Sequence, residues 1–321
     1  MQFVYLCCRA LLILPALLVA IYGYGGLEGD GGLEMVDIGL PKGTLMAVGF
    51  FTQDRNLDLF IRSPDKLSFS IFKWSAGKYR EHLTMRMEHA IVNLNVNDFD
   101  HDGLPDVLVV MKTSDSLYKA VLYTHFQNEL RLADWAVFPK MKTHPMVFDW
   151  NKDTLIDFLF VNDKGETVIM QAKPKVPNGI VTSYDIVPAP PEMCKLKAPQ
   201  YGAFADFDGD GMADLLLVCL DNTLEVWRQE GTEFKKSRVF ETNIKGPMVV
   251  LDFDGNGAMD LLHYDPDANQ LEIYRNKQVK FCRSREESES LDCKPTDKLF
   301  QFDPKFGFGK KPDVTVKVKD L

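Results

Sequence analysis

A chain of 321 residues suits one large domain or two small ones. Its formal net charge of −9 excludes a general electrostatic attraction for nucleic acid. Much of that negative charge sits in a few short loops, so the total does not define an acidic binding face.

In chain order, the first feature is the leader MQFVYLCCRALLILPALLVAIYGY at 1–24. One arginine precedes an apolar run from Ala10 to Tyr22, and Gly23, Gly25 and Gly26 follow. That layout reads as a secretory signal peptide cleaved near residues 20–26. An uncleaved signal anchor is the alternative, because the apolar run approaches the length of a membrane span. Either way the rest of the chain is expected in the secretory lumen, at the cell surface or outside the cell.

A repeat follows. In FTQDRNLDLFI and the residue before it, Phe50, Thr52, Asp54 and Asp58 form a degenerate copy. The fuller copies are DFDHDGLPD from Asp98, DWNKDTLID from Asp149, DFDGDGMAD from Asp206 and DFDGNGAMD from Asp252, with starts 51, 57 and 46 residues apart. Oxygen-bearing side chains stand at positions 1, 3, 5 and 9, and an apolar run (VLVV, FLFV, LLLV, LL) follows each time. Between loops lie short runs rich in Val, Ile, Phe, Tyr and Trp: SFSIFKW (68–74), KAVLYTHF (119–126), TVIMQA (167–172), TLEVWRQ (223–229) and QLEIYRN (270–276). Asn, Asp and Gly bound them, as strands require. Apart from the leader, no segment sustains a helical apolar period. A period near 50 residues accommodates four short strands and their turns, which is one propeller blade. The nine-residue repeat of calcium-binding β-helices and the Gly-His and Trp-Asp signatures of WD blades are absent from the sequence. The expected fold class is therefore all-β, a β-propeller over residues 35–321 with five to six blades legible. The tail KFGFGKKPDVTVKVKDL has no Asp loop after it and reads as an unfinished blade, so a truncated form of a larger ring is favoured over closure of five or six blades.

Carboxylates at alternate positions of a tight turn are costly to bury unpaired and well suited to surround a hard cation. Calcium takes about six to eight oxygens at about 2.3–2.6 Å. Asp98, Asp100, Asp102, the Leu104 carbonyl and Asp106 make one expected site, with Gly103 at the turn. Asp206, Asp208, Asp210, the Met212 carbonyl and Asp214 make a second, with Gly211. Asp252, Asp254, Asn256, the Ala258 carbonyl and Asp260 make a third of lower charge. The fourth, Asp149, Asn151, Asp153, the Leu155 carbonyl and Asp157, has Thr154 where glycine belongs, and a β-branched residue at positive φ is strained. The Phe50 loop is expected to bind nothing. An EF-hand is excluded, because position 12 holds Val109, Phe160, Leu217 and His263 rather than glutamate, and a strand follows. Asx-turns between strands, without metal, are the alternative for every loop.

After the leader's Cys7 and Cys8, four cysteines remain, an even number in an oxidising compartment. Three pairings are open, and the local ones, Cys194–Cys219 and Cys282–Cys293, are favoured, the second closing the charged loop RSREESESLD. Cys194 and Cys219 as free thiols are the alternative. The proline-rich stretches KPKVPNG (173–179) and PAPPEMCKLKAP (188–199) read as inter-strand loops. Six histidines are scattered without ligand spacing, and no GxSxG, HExxH, CxxC or Walker-type loop occurs.

The segments FADFDGDGMADLLLV, NDFDHDGLPDVLVV and LDFDGNGAMDLL resemble the FG-GAP (VCBS-like) repeats of the integrin α-subunit propeller. The order of features is similar to that of the T-cell immunomodulatory protein family: a leader, GTLMAVGFFTQDRNLDLFIR, serial Asp loops and the Cys282, Cys293 pair. The resemblance covers roughly residues 43–300. It implies a type I membrane glycoprotein with a seven-bladed ectodomain, engaged in adhesion or signalling at the membrane. This chain departs from that pattern in having five legible loops, no closing hydrophobic helix and no Asn-x-Ser/Thr sequon.

The function expected from these readings is a non-enzymatic, calcium-stabilised propeller at the cell surface or outside the cell that binds another protein. A calcium-dependent carbohydrate-binding propeller is the alternative, with Trp150 as its sugar platform. A propeller hydrolase or lyase is disfavoured, because no acid–base pair stands apart from the loop ligands.

Overall fold

The structure, a computed structural model, describes residues 39–318 apart from 114–116, 178, 199, 243, 245, 279–292 and 294–299. The leader at 1–24 and Cys282 lie outside the described residues. No helix occurs among the described residues, and none is therefore long and apolar enough to cross a membrane.

The chain divides at Phe138 into two compact units. In the first, β1 (Thr44–Gly49), β2 (Asp58–Arg62), β3 (Ser68–Ser75) and β4 (Lys78–Arg86) form one antiparallel meander. A second meander comprises β5 (Ala90–Asn97), β6 (Asp106–Lys112), β7 (Tyr118–Phe126) and β8 (Glu129–Leu132). Met46, Phe51, Phe60, Phe69 and Ile71 of the one pack with Ile91, Leu94, Val107, Val109 and Met111 of the other.

The second unit holds three more meanders. They are β9 (Met146–Phe148), β10 (Asp157–Val161), β11 (Thr167–Pro174) and β12 (Val181–Pro188); β13 (Ala203–Ala205), β14 (Asp214–Val218), β15 (Thr223–Glu230) and β16 (Glu233–Glu241); and β17 (Met248–Leu251), β18 (Asp260–Asp265), β19 (Gln270–Tyr274) and β20 (Val314–Lys317). Phe148, Leu159, Leu215, Leu217 and Trp227 fill the space between the first two, and Phe207, Leu216, Leu261, Tyr274 and Phe306 the space between the last two. Among the described residues the fold is thus all-β, built of five propeller blades, two in the first unit and three in the second.

The sequence explains the gradient within each blade. The second strands carry the apolar runs, and β6, β10 and β14 are almost wholly buried on both faces. The outer strands β4 and β16 alternate exposed charges with half-buried residues, which keeps an edge from pairing with another chain. Third strands β3 and β15 carry a register shift at equivalent points, Ile71/Phe72 and Val226/Trp227, a bulge that these two blades share.

The tail departs from its expected role. Val314–Lys317 pairs with β19 and supplies the fourth strand of the last blade, so the segment read as an unfinished blade completes an existing one. Its valine alternation was legible; its partner was not, because a long excursion separates the two strands. Cys194 and Cys219 form a disulfide with Cα atoms 5.7 Å apart, tying the proline-rich loop after β12 to the end of β14. Cys293 is buried and disulfide-bonded.

Candidate metal centres in the aspartate loops

Each Asp loop joins the first and second strands of a blade, and its ninth residue opens the second strand. Those residues, Asp58, Asp106, Asp157, Asp214 and Asp260, are all 0% exposed. Such burial is tolerable because backbone N–H groups meet the carboxylates. Asp106 Oδ2 accepts from the N–H groups of Phe99 (2.8 Å) and Asp100 (3.1 Å), and Oδ1 from His125 N–H on β7 (2.8 Å). Asp157 accepts from Trp150 and Ala172, and Asp260 from Phe253 and Asn276. Asp58 accepts from the backbone and hydroxyl of Thr52. Asp214 differs: Oδ2 accepts from Phe207 N–H at 3.0 Å, and the buried Oδ1 has no hydrogen-bond partner among the described residues.

The other loop side chains hold the turn itself. Position 1 accepts from the N–H five residues on: Asp98 from Gly103, Asp149 from Thr154, Asp206 from Gly211 and Asp252 from Gly257. Position 5 accepts from the N–H two residues on: Asp102 from Leu104, Asp153 from Leu155, Asp210 from Met212 and Asn256 from Ala258. Asp100, Asn151 and Asp208 each accept from the N–H of position 5. The sixth position takes positive φ throughout, 88° at Gly103, 85° at Gly211 and 88° at Gly257, and Thr154 adopts 69° despite its β-branch.

Carboxylates converge in three loops. One oxygen each from Asp98, Asp100 and Asp106 lies within 4.8 Å of the others, and likewise from Asp252, Asp254 and Asp260. In the Asp206 loop the converging set is Asp206, Asp208 and Asp210, without Asp214. Asp149, Asp153 and Asp157 form no such group among the described residues, though Asp149 Oδ1 is buried without a partner. Three converging carboxylates in two loops, with position 9 included, form a donor set suited to a hard divalent cation.

Burial and mutual repulsion raise the carboxyl pKa values. Burial, then the charge of Asp102, takes Asp100 to about 6. Burial takes Asp106 and Asp157 to about 7. Burial, then the charge of Asp208, takes Asp214 to about 8. Without a cation these groups retain protons in the folded chain that the unfolded chain has released, so stability falls as pH rises from about 4 to about 8. In EGTA the urea midpoint is expected to be higher near pH 5 than near pH 8, and a midpoint that climbs across this range would contradict the picture.

One functional side chain escaped the sequence reading. Arg228, on β15, pairs through Nε with Asp208 Oδ2 and through Nη2 with Asp210 Oδ2 at 3.1 Å. Its guanidinium carbon lies 4.2 Å from the centroid of the Phe302 ring. Arg275 Nε approaches Asp254 Oδ2 at 3.5 Å from a side chain that is 47% exposed. These arginines lie one residue beyond the paired register of the third strand, a relation that only the strand pairing reveals.

An FG-GAP-like repeat model matches residues 206–263, from the first residue of the Asp206 loop through the Asp252 loop. The T-cell immunomodulatory protein of Rattus norvegicus is 26% identical over 251 residues, covering 72% of this chain and 40% of the relative. That of Mus musculus is 27% identical over the same shares. The match thus spans about two fifths of the length of these relatives. Among solved structures, the crystal structure of BBS1N in complex with ARL6DN, soaked with lead, aligns with a TM-score of 0.39 at 13% identity, over 74% of this chain and 80% of that one.

Proposed function

We propose that this chain is a non-enzymatic, calcium-stabilised propeller that acts at the cell surface or outside the cell by binding another protein, in an adhesive or immune-modulating role. The observation that carries the proposal is the FG-GAP-like repeat at 206–263, set within blades whose sequence is similar to proteins named for modulating T cells. In the second blade Asp98, Asp100 and Asp106 would hold the ion, and in the last blade Asp252, Asp254 and Asp260. The cation would supply positive charge at clustered carboxylates and so tie the loop to the strands on either side. The ninth-position carboxylates are engaged by backbone N–H groups, a role in holding the blade rather than in moving protons to a substrate. Membrane association is proposed for the longer form that the relatives represent. Trp150, the platform required for sugar binding, stacks on Phe234 at 5.3 Å and meets Phe148 edge-on at 6.0 Å, which supports a protein partner over a carbohydrate.

Labelled chain added to intact T lymphocytes in millimolar calcium is expected to bind saturably. Unlabelled chain should displace it, and EGTA or trypsin treatment of the cells should abolish it. No saturable binding in calcium would sink the proposal. Binding that resists trypsin and disappears after glycosidase treatment would replace it with the carbohydrate reading.

A further inference from the structure

Five loops of one design do not carry one electrostatic design. Extending the paired register by one residue sets Lys73, Thr124, Gln171, Arg228 and Arg275 across from Asp58, Asp106, Asp157, Asp214 and Asp260. The neighbouring strand therefore offers the Asp98 and Asp149 loops a neutral side chain and the Asp206 loop a guanidinium.

We propose that Arg228 is the resident counter-ion of the Asp206 loop, which is thereby held closed without a metal ion. The inference deepens the calcium reading by removing one loop from it. Arg228 engages two carboxylates at once, Asp208 and Asp210, and Asp208 is 0% exposed. A planar fork bonded to two carboxylates satisfies both charge and hydrogen bonding where a metal ion would otherwise be needed. The ligand geometry is altered to match. In the Asp98 and Asp252 loops positions 1, 3 and 9 converge, whereas beside Arg228 the converging set is positions 1, 3 and 5. Asp214 is left out, with Oδ1 unpartnered among the described residues.

The far side of the guanidinium is covered. Phe302 lies against it, Asp303 N–H donates to the Asp208 carbonyl at 2.8 Å, and a Cβ on Gly211 would come within 2.7 Å of the Phe300 ring. Phe300, Phe302 and Asp303 thus lie against the Asp206 loop and its arginine. Arg275 makes a single, longer contact with Asp254 from an exposed position, so it leaves the Asp252 loop in the metal-compatible arrangement.

The test measures melting temperature and bound terbium for the full chain in EGTA and in millimolar calcium. Arg228→Gln is expected to melt roughly 5–10 °C below wild type in EGTA, to recover in calcium, and to bind an additional terbium ion. A variant that folds only in calcium gives the same answer. Asp210→Asn is expected to leave the wild-type calcium shift intact. The inference is overturned if Arg228→Gln melts like wild type in EGTA, if its loss is not restored by calcium, or if Asp210→Asn removes the wild-type calcium shift. A wild type indifferent to calcium, with Arg228→Gln still calcium-rescued, would end the reading of the other loops and leave this one standing.

Discussion

Asp106→Ala is expected to lower the unfolding free energy by about 3–5 kcal/mol, because it strands three backbone N–H groups in a fully buried site. The penalty is one of desolvation: each donor has exchanged water for this carboxylate, and alanine returns neither. Asp157→Ala and Asp260→Ala release two backbone donors each in geometry of the same kind and should cost less, about 2–4 kcal/mol. Asp214→Asn is expected to cost under about 1 kcal/mol, since among the described residues this carboxylate accepts from Phe207 alone, and it stands beside the charge of Asp208. Urea unfolding in EGTA at one pH ranks the series. Equal losses at Asp106 and Asp214 would show that the backbone bonds do not set the cost.

Removing the Cys194–Cys219 bridge with Cys194→Ala and Cys219→Ala is expected to cost about 3–4 kcal/mol, the chain-entropy expectation for its sequence separation of 25. The bridge does more than close a loop. Cys194 N–H donates to Glu225 Oε2 at 3.1 Å, and that oxygen also accepts from Trp227 Nε1 at 3.0 Å. Trp227 is among the largest fully buried side chains, so loosening the bridge disturbs a core indole. The double variant should therefore show both a lower melting temperature and altered tryptophan emission. Unchanged stability with intact emission would mean that strand pairing around Leu196 and Cys219 holds this loop unaided.

The sequence displayed the second and third strands plainly, since both faces of the one are apolar and the other is aromatic and β-branched. Outer strands such as β4 and β16 were harder to see, because their exposed charges interrupt the alternation. The loop positions were legible as a spacing of oxygens, and so was the odd backbone demand at Thr154. That spacing did not show that position 9 is wholly buried and bonded to the backbone, whereas positions 3 and 5 face different neighbours from blade to blade. Arg228 was invisible for a similar reason. It becomes part of its loop only through strand register, and nothing near residue 206 announces it. The favoured Cys194–Cys219 pairing agrees with the structure; for the favoured pairing of Cys282 with Cys293, the described half, Cys293, is disulfide-bonded and Cys282 lies outside the described residues.

The late arrival of β20 has a consequence during synthesis. As the chain leaves the ribosome, β17, β18 and β19 can assemble while the outer edge of QLEIY still waits for Val314–Lys317. During that interval a row of unpaired N–H and C=O groups is open to any other nascent strand. The residues that cover Arg228 precede β20 only slightly, so the two last blades mature together. This makes the interval between synthesis of β19 and of β20 the step at which crowding, slow codons or a missing chaperone would divert the protein into aggregates.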